Sequence, residues 1–143
     1  MVFLKEIAML SILLVLFFNQ VASGPTSSPC AIEVLPTDLE SSSDYSSKYS
    51  SKSSRLNVGN AGWRPQDNDN DPWLEIDLDV TMTIHQITTK GCKEQGSAMY
   101  VTEFFMMADD YEVTDFNDLR KNFVANSDAD TEVHNALQPP VEA

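Results

Sequence analysis

Asp67, Asp69 and Asp71 alternate with Asn68 and Asn70, a run of five oxygen-bearing side chains. A hard cation such as calcium takes about six to eight oxygen ligands, so this run is a reasonable start for a cation loop. The EF-hand pattern fails at once. Pro72 stands where the turn glycine belongs and Leu78 where the bidentate glutamate belongs. The competing reading is a polar turn, which leaves Asp67, Asp69 and Asp71 as weak metal candidates and calcium as the only cofactor in view. His85 and His134 have no histidine partner at ligand spacing, and Cys92 is not part of a CxxC pair, so zinc is not supported. No nucleophile elbow, HExxH, P-loop or GxGxxG occurs, and none of the many serines stands in a pattern that pairs it with a base. The residues point to a protein that is not an enzyme.

The elements that hold these residues begin with a processing segment. Lys5 precedes the apolar run Ile7–Phe18, broken only by Ser11, and small residues follow at Val21, Ala22, Ser23 and Gly24. That order reads as a secretory signal peptide over residues 1–23, cut after Ser23 or Gly24. The run is shorter than the roughly 20 residues a spanning helix needs, so no transmembrane segment is expected. Removing the leader leaves 120 residues, enough for one domain. A formal charge of −13 argues against nucleic acid, whose binding depends on lysine and arginine neutralising phosphates. Secretion puts Cys30 and Cys92 where thiols oxidise. They are disulfide candidates, with each other or with partners elsewhere, and the connectivity stays open.

Further along, Gly24–Pro29 is a flexible leader, and Ser41–Ser54 taken alone is a low-complexity linker with little apolar surface to bury. Asn57–Pro72 is loop or turn. Trp73–Val80 has the clearest pattern. Leu74, Ile76, Leu78 and Val80 share one face, and Glu75, Asp77 and Asp79 the other, as in a half-buried strand. Met82–Thr88 and Tyr100–Met107 are further strands, with Gly91–Ser97 a loop between them. Val113–Lys121 has a weak helical look, and Thr131–Val133 a weak strand signal. Short strands between turn-rich loops imply an all-β, antiparallel sandwich or barrel.

The order of certain pieces is itself informative. Cys30 opens the domain, and a Ser/Tyr-rich stretch leads into Arg55-Leu56-Asn57. Gly62-Trp63-Arg64-Pro65 and Trp73-Leu74-Glu75-Ile76-Asp77-Leu78 follow, then Thr88-Thr89-Lys90-Gly91 and Tyr100-Val101-Thr102. Asn126-Ser127-Asp128 and Asn135-Ala136-Leu137 before Pro139-Pro140 complete the set. From Cys30 to Ala143 the chain resembles the discoidin family, the C-type domains of coagulation factors V and VIII. The resemblance implies a distorted jelly-roll barrel whose loops at one end bind ligands. It also implies further strands and a closing cysteine after Ala143, so the domain, residues 30–143, reads as incomplete, its last strands missing.

On this reading the serine-rich stretch is an ordered loop at the binding end. Tyr45, Lys48, Tyr49, Lys52 and Lys93 become the ligand-binding candidates. Tyrosine offers an apolar body with a polar tip, and lysine a flexible charge for phosphate, sulfate or carboxylate. Trp63, Trp73 and Arg55 read as framework residues. The function implied is a secreted adhesion module for an extracellular glycan, a phospholipid head group, or a matrix or cell-surface protein. The competing function is an acidic structural protein of an extracellular matrix, mineralised or not, with weak calcium association.

Overall fold

The computed structural model describes residues 2–5, 15–18, 30–32, 39–56, 62–78, 81–94, 96–109, 111–114 and 120–143. These residues build an antiparallel β fold in which the two main sheets share one apolar core. The strands are β1 (Val2–Lys5), β2 (Val15–Phe18), β3 (Cys30–Ile32), β4 (Leu39–Ser41), β5 (Trp73–Ile76) and β6 (Thr83–Thr89). Then come β7 (Cys92–Glu94), β8 (Ser97–Met99), β9 (Glu103–Ala108), β10 (Tyr111–Glu112), β11 (Asn122–Val124) and β12 (Val133–Glu142). One sheet has the order β10-β9-β1-β5-β4, with β11 also on β9. The other runs β12-β6-β2-β3, and β7–β8 is a separate hairpin.

Side-chain alternation explains which residues face inward. In β5, Leu74 and Ile76 are fully buried, and the flanking Trp73 and Glu75 are half-buried on the opposite face. In β9, Phe104, Met106 and Ala108 are buried, while Phe105 and Met107 keep partial exposure. The regular strand in β5 ends at Ile76 rather than Val80, although Leu78 still packs against the core. Phe123 of β11 lies opposite Phe104 and stacks on it, with ring centroids 5.1 Å apart. From the second sheet Ile84, Ile87 and Leu137 join the same cluster. Each such side chain contributes about 1.5–3 kcal/mol on burial.

β6 breaks the period of two because it is irregular at His85. Ile84 pairs with Val141 and Gln86 with Ala136, so residues 137–140 of β12 bulge opposite His85 alone. The β2 register shifts at the same place. Ile84 and Ile87, three apart, therefore both reach the core, and His85 is left half-exposed. Pro139 and Pro140 fall in this bulge, where no ladder hydrogen bond is asked of them. The Gln138–Pro139 bond is cis.

Two expectations need correcting, and a third is extended. Gly91–Ser97 is no plain loop. Cys92–Glu94 and Ser97–Met99 form a hairpin, turning where Gly96 adopts a φ of 86° that side chains disfavour. Val113–Lys121 is not helical at its described ends, where Thr114 and Arg120 form an antiparallel bridge. The strand signal near Val133 belongs to a ten-residue strand reaching Glu142.

Candidate functional site

Register places the candidate loops together. Lys5 lies opposite both Trp73 and Phe105, so the Trp73 end of β5 and the start of β9 mark one end of the sheet. The Ser41–Arg55 excursion leaves β4 at that end, where the Ser42 N–H donates to the Trp73 carbonyl at 3.0 Å. The 125–131 loop reaches the same end, with the Asn126 N–H donating to the Val101 carbonyl at 2.7 Å. The β7–β8 hairpin packs on this loop at Gly91, where a Cβ would lie 2.7 Å from both Ala129 Cα and the Met99 carbonyl oxygen.

The serine-rich stretch is ordered, with two 3-10 turns at Ser47–Tyr49 and Ser51–Ser53. Its composition alone suggests a linker, but its serines are spent on long-range hydrogen bonds. Ser42 Oγ and Ser43 Oγ both donate to Asp69 Oδ2, at 2.6 and 2.5 Å. Ser42 Oγ accepts from the Trp73 N–H at 3.0 Å, and Ser43 Oγ from the Gln66 N–H at 3.0 Å. Asp44 Oδ1 accepts from the Ser51 N–H at 2.9 Å, and Ser51 Oγ donates to the Leu39 carbonyl at 3.2 Å. Trp63, fully buried, donates its indole N–H to the Ser43 carbonyl at 2.8 Å. The loop is thus stapled to the 62–73 segment and to β4.

Asp69 therefore belongs to the frame. Burial pushes its carboxyl up, but the Ser42 and Ser43 hydroxyls and the Asp71 N–H outweigh that and hold it below its ordinary value. Asp67 pairs with Arg64 at 2.7 Å, and the Asp71 N–H donates to Asp69 Oδ1 at 3.2 Å. The aspartate run serves as a turn, and among the described residues no group of His, Cys, Asp or Glu is placed to hold a metal.

The ligand candidates separate by exposure. Tyr45 is 45% exposed, with the Arg64 guanidinium 3.7 Å from its ring centroid, a cation–π stack. Lys48 and Lys52 are exposed. Tyr49, expected at the binding surface, is 2% exposed. Its ring sits edge-on to Tyr45 at 6.5 Å, and its hydroxyl accepts from Lys48 Nζ at 2.6 Å. It supports the loop from within. Lys93, on the hairpin, is paired with Asp130. The 128–131 turn beneath it is closed by Asp128, whose carboxyl is held low by the Thr131 N–H and hydroxyl and the Asp130 N–H.

Two side chains act on this loop in ways the sequence did not show, Asp69 having stood only as a weak metal candidate and Arg64 only within the Trp63 motif. Arg64 forms the stack with Tyr45, and Asp69 holds the loop in place. No local pattern could have found them, since Asp69 lies 26 and 27 residues from the serines it anchors. Cys30 stands opposite Phe18 at the start of β3, and Cys92, 8% exposed, opposite Met99 in β7. His134 Nδ1 lies 2.8 Å from Thr88 Oγ1, a bond between strands of one sheet. A cleft of about 630 Å³ opens at the other end of the fold, between Ala108–Glu112 and Leu137–Glu142, and holds none of the candidates.

The family model for the F5/8 type C domain matches residues 38–143. Coagulation factor VIII of the dog is 41% identical over 85 residues, 57% of this chain. The human and mouse factors VIII are 40% and 39% identical over 83 residues, 55% of this chain. The match spans about 4% of the length of each of these relatives.

Proposed function

Because the chain belongs to the F5/8 type C domain family, we propose that it is a secreted, non-catalytic binding module whose ligand seats on the Ser41–Arg55 loop. The ligand is an extracellular glycan, a phospholipid head group or a matrix or cell-surface protein. One observation carries this reading. A loop held rigid by Asp69 and Trp63 presents Tyr45, stacked on Arg64, beside exposed Lys48 and Lys52. Over Ser41–Arg55 the cations Lys48, Lys52 and Arg55 face one carboxylate, Asp44, within a chain of net charge −13. An acidic surface with one basic, aromatic loop steers an anionic or hydroxyl-rich ligand to that loop. Among the described residues Tyr45 is the exposed large apolar side chain in this loop, which suits a polar ligand surface better than deep entry into hydrocarbon.

The test is binding by the secreted protein to immobilised glycans, head-group vesicles and matrix proteins. Tyr45→Ala and Lys48→Ala should each weaken one such interaction at least about tenfold while lowering the melting temperature by no more than about 2 °C. Unchanged binding to every ligand that the wild type holds would remove the loop from the site. The second reading, an acidic matrix protein with weak calcium association, draws on the same net charge of −13. Bulk attraction fades with screening and ignores single substitutions, whereas a loop site survives moderate salt.

A further inference from the structure

The chain has four tyrosines, at positions 45, 49, 100 and 111. Tyr49 is buried and Tyr100 half-buried, with Glu103 as the one carboxylate within five residues of Tyr100. Tyr45 has the Arg64 guanidinium on its ring and Lys48 three residues on. Tyr111 differs from all three. It is 78% exposed, and it stands in Ala108-Asp109-Asp110-Tyr111-Glu112-Val113-Thr114-Asp115, with four carboxylates and no lysine or arginine within five residues. The fold explains its exposure. Tyr111 follows the turn between β9 and β10, where Asp109 adopts a φ of 50°, a left-handed conformation that aspartate tolerates better than most side chains. β10 is two residues long and lies at the edge of its sheet, and both of its residues, Tyr111 and Glu112, are exposed. Around the neighbouring cleft the carboxylates Asp109, Glu112 and Glu142 outnumber the one cation, Lys121.

We propose that Tyr111 is a site of tyrosine O-sulfation, made in the secretory compartments and so resting on the reading of the chain as secreted. The donor is a nucleotide phosphosulfate. The Tyr111 phenol oxygen attacks the sulfur, and a new oxygen–sulfur bond forms as the bond from sulfur to the phosphate oxygen breaks. The electron pair leaves with the phosphate, the phenolic proton goes to a base of the transferase, and nothing is oxidised or reduced. A donor with several negative charges requires a basic transferase site, and a segment acidic on both sides of its tyrosine is drawn to such a site. The segment must also enter the transferase extended, and a two-residue edge strand opens locally at little cost. The product, an aryl sulfate ester, stays ionised and adds one negative charge to a chain at −13. Because Tyr111 lines the cleft at the end away from the Ser41–Arg55 loop, the new charge leaves that basic loop unchanged.

The test has two arms. In the first, the purified full chain meets a tyrosine sulfotransferase and a radiolabelled phosphosulfate donor, and the labelled residue is found by peptide mapping. One sulfate should enter, on Tyr111. Tyr111→Phe should take up no label, and Tyr45→Phe should take up as much as the wild type. Asp110→Asn combined with Glu112→Gln should lower kcat/KM for the transfer at least about tenfold, with the circular dichroism spectrum unchanged. In the second arm, cells expressing the chain are fed labelled sulfate, and the chain is recovered from the medium and from the cells. The secreted chain should carry label on Tyr111 that resists alkaline phosphatase. No transfer to Tyr111 in the first arm, equal transfer to Tyr45, or a charge-neutralised variant as good as the wild type overturns the proposal. So does a secreted chain with Tyr111 unmodified, or one whose added mass carries no sulfate label and is removed by phosphatase. A chain that stays in the cells yet accepts sulfate on Tyr111 in the first arm supports the site and overturns the secreted reading alone.

Discussion

Replacing Asp69 by asparagine keeps the size of the side chain and removes the charge on which three donors converge. Two hydroxyls reach Oδ2 at 2.6 and 2.5 Å, and a backbone N–H reaches Oδ1 at 3.2 Å. A hydrogen bond to a charged group contributes about 1.5–3 kcal/mol, against about 1 for a neutral one. Asparagine keeps a single acceptor oxygen, so one side of this network is lost and the other weakened. Part of the site faces solvent, which lowers the net cost to about 1.5 kcal/mol. For a domain of this size that is about 5 °C in melting temperature. The sign of the pH dependence is fixed by the depressed carboxyl. Its stabilisation is complete above the unfolded value, about 3.9, and is lost as pH falls through the lower folded value. The deficit of the Asp69→Asn chain should therefore be full at pH 7 and shrink in acid. Urea unfolding followed by circular dichroism at pH 7 and at pH 3 measures both. A variant as stable as the wild type at pH 7, or an equal deficit at both pH values, would refute the assignment of Asp69 as the loop's anchor.

Tyr49→Ala should cost about 3 kcal/mol, as for a buried aromatic, while Tyr45→Ala should cost about 0.5 kcal/mol or less, a contrast that thermal unfolding resolves. Gly91→Ala puts a Cβ 2.7 Å from backbone atoms on both sides, so it should cost about 2 kcal/mol and speed hydrogen exchange in the β7–β8 hairpin first. Glu75 is raised by burial and then by the charges of Glu40 and Asp77, so its ionised form disfavours the fold at neutral pH. Any stability tied to its protonation is complete below the unfolded value and lost as pH rises through the higher folded one. Glu75→Gln should thus stabilise the chain by about 0.5 kcal/mol at pH 7, a gain that denaturant melts should show vanishing in acid.

The legible part of the fold was the part with a period. Leu74 and Ile76 alternate with charged neighbours, and the structure buries both. β12 was hidden because two prolines and several polar residues occupy it, and only the partner register shows that the prolines stand in a bulge. The β7–β8 hairpin has no strand-like composition, and its turn follows from the backbone at Gly96. The collinear motifs identified the family, which local pattern alone does not. At the site, residue type cannot separate Tyr45 from Tyr49, because a serine-rich loop has no periodicity to assign inside and outside. Exposure decides it, and exposure depends on partners far along the chain.

The staples of the loop have one more consequence. The residues that hold its shape, Ser42, Ser43, Asp44, Ser51, Trp63 and Asp69, are distinct from the outward-facing Tyr45, Ser46, Ser47, Lys48 and Lys52. The backbone entropy of the loop is therefore lost on folding, and little remains to be lost when a ligand arrives. Because shape and contact are divided between two sets of positions, the outward set can change its chemistry while the frame stays intact. Such a loop is open to drift in ligand preference between closely related chains. It also offers four adjacent positions and Lys52 for randomisation on a fixed backbone, which makes the domain a starting scaffold for selected binders.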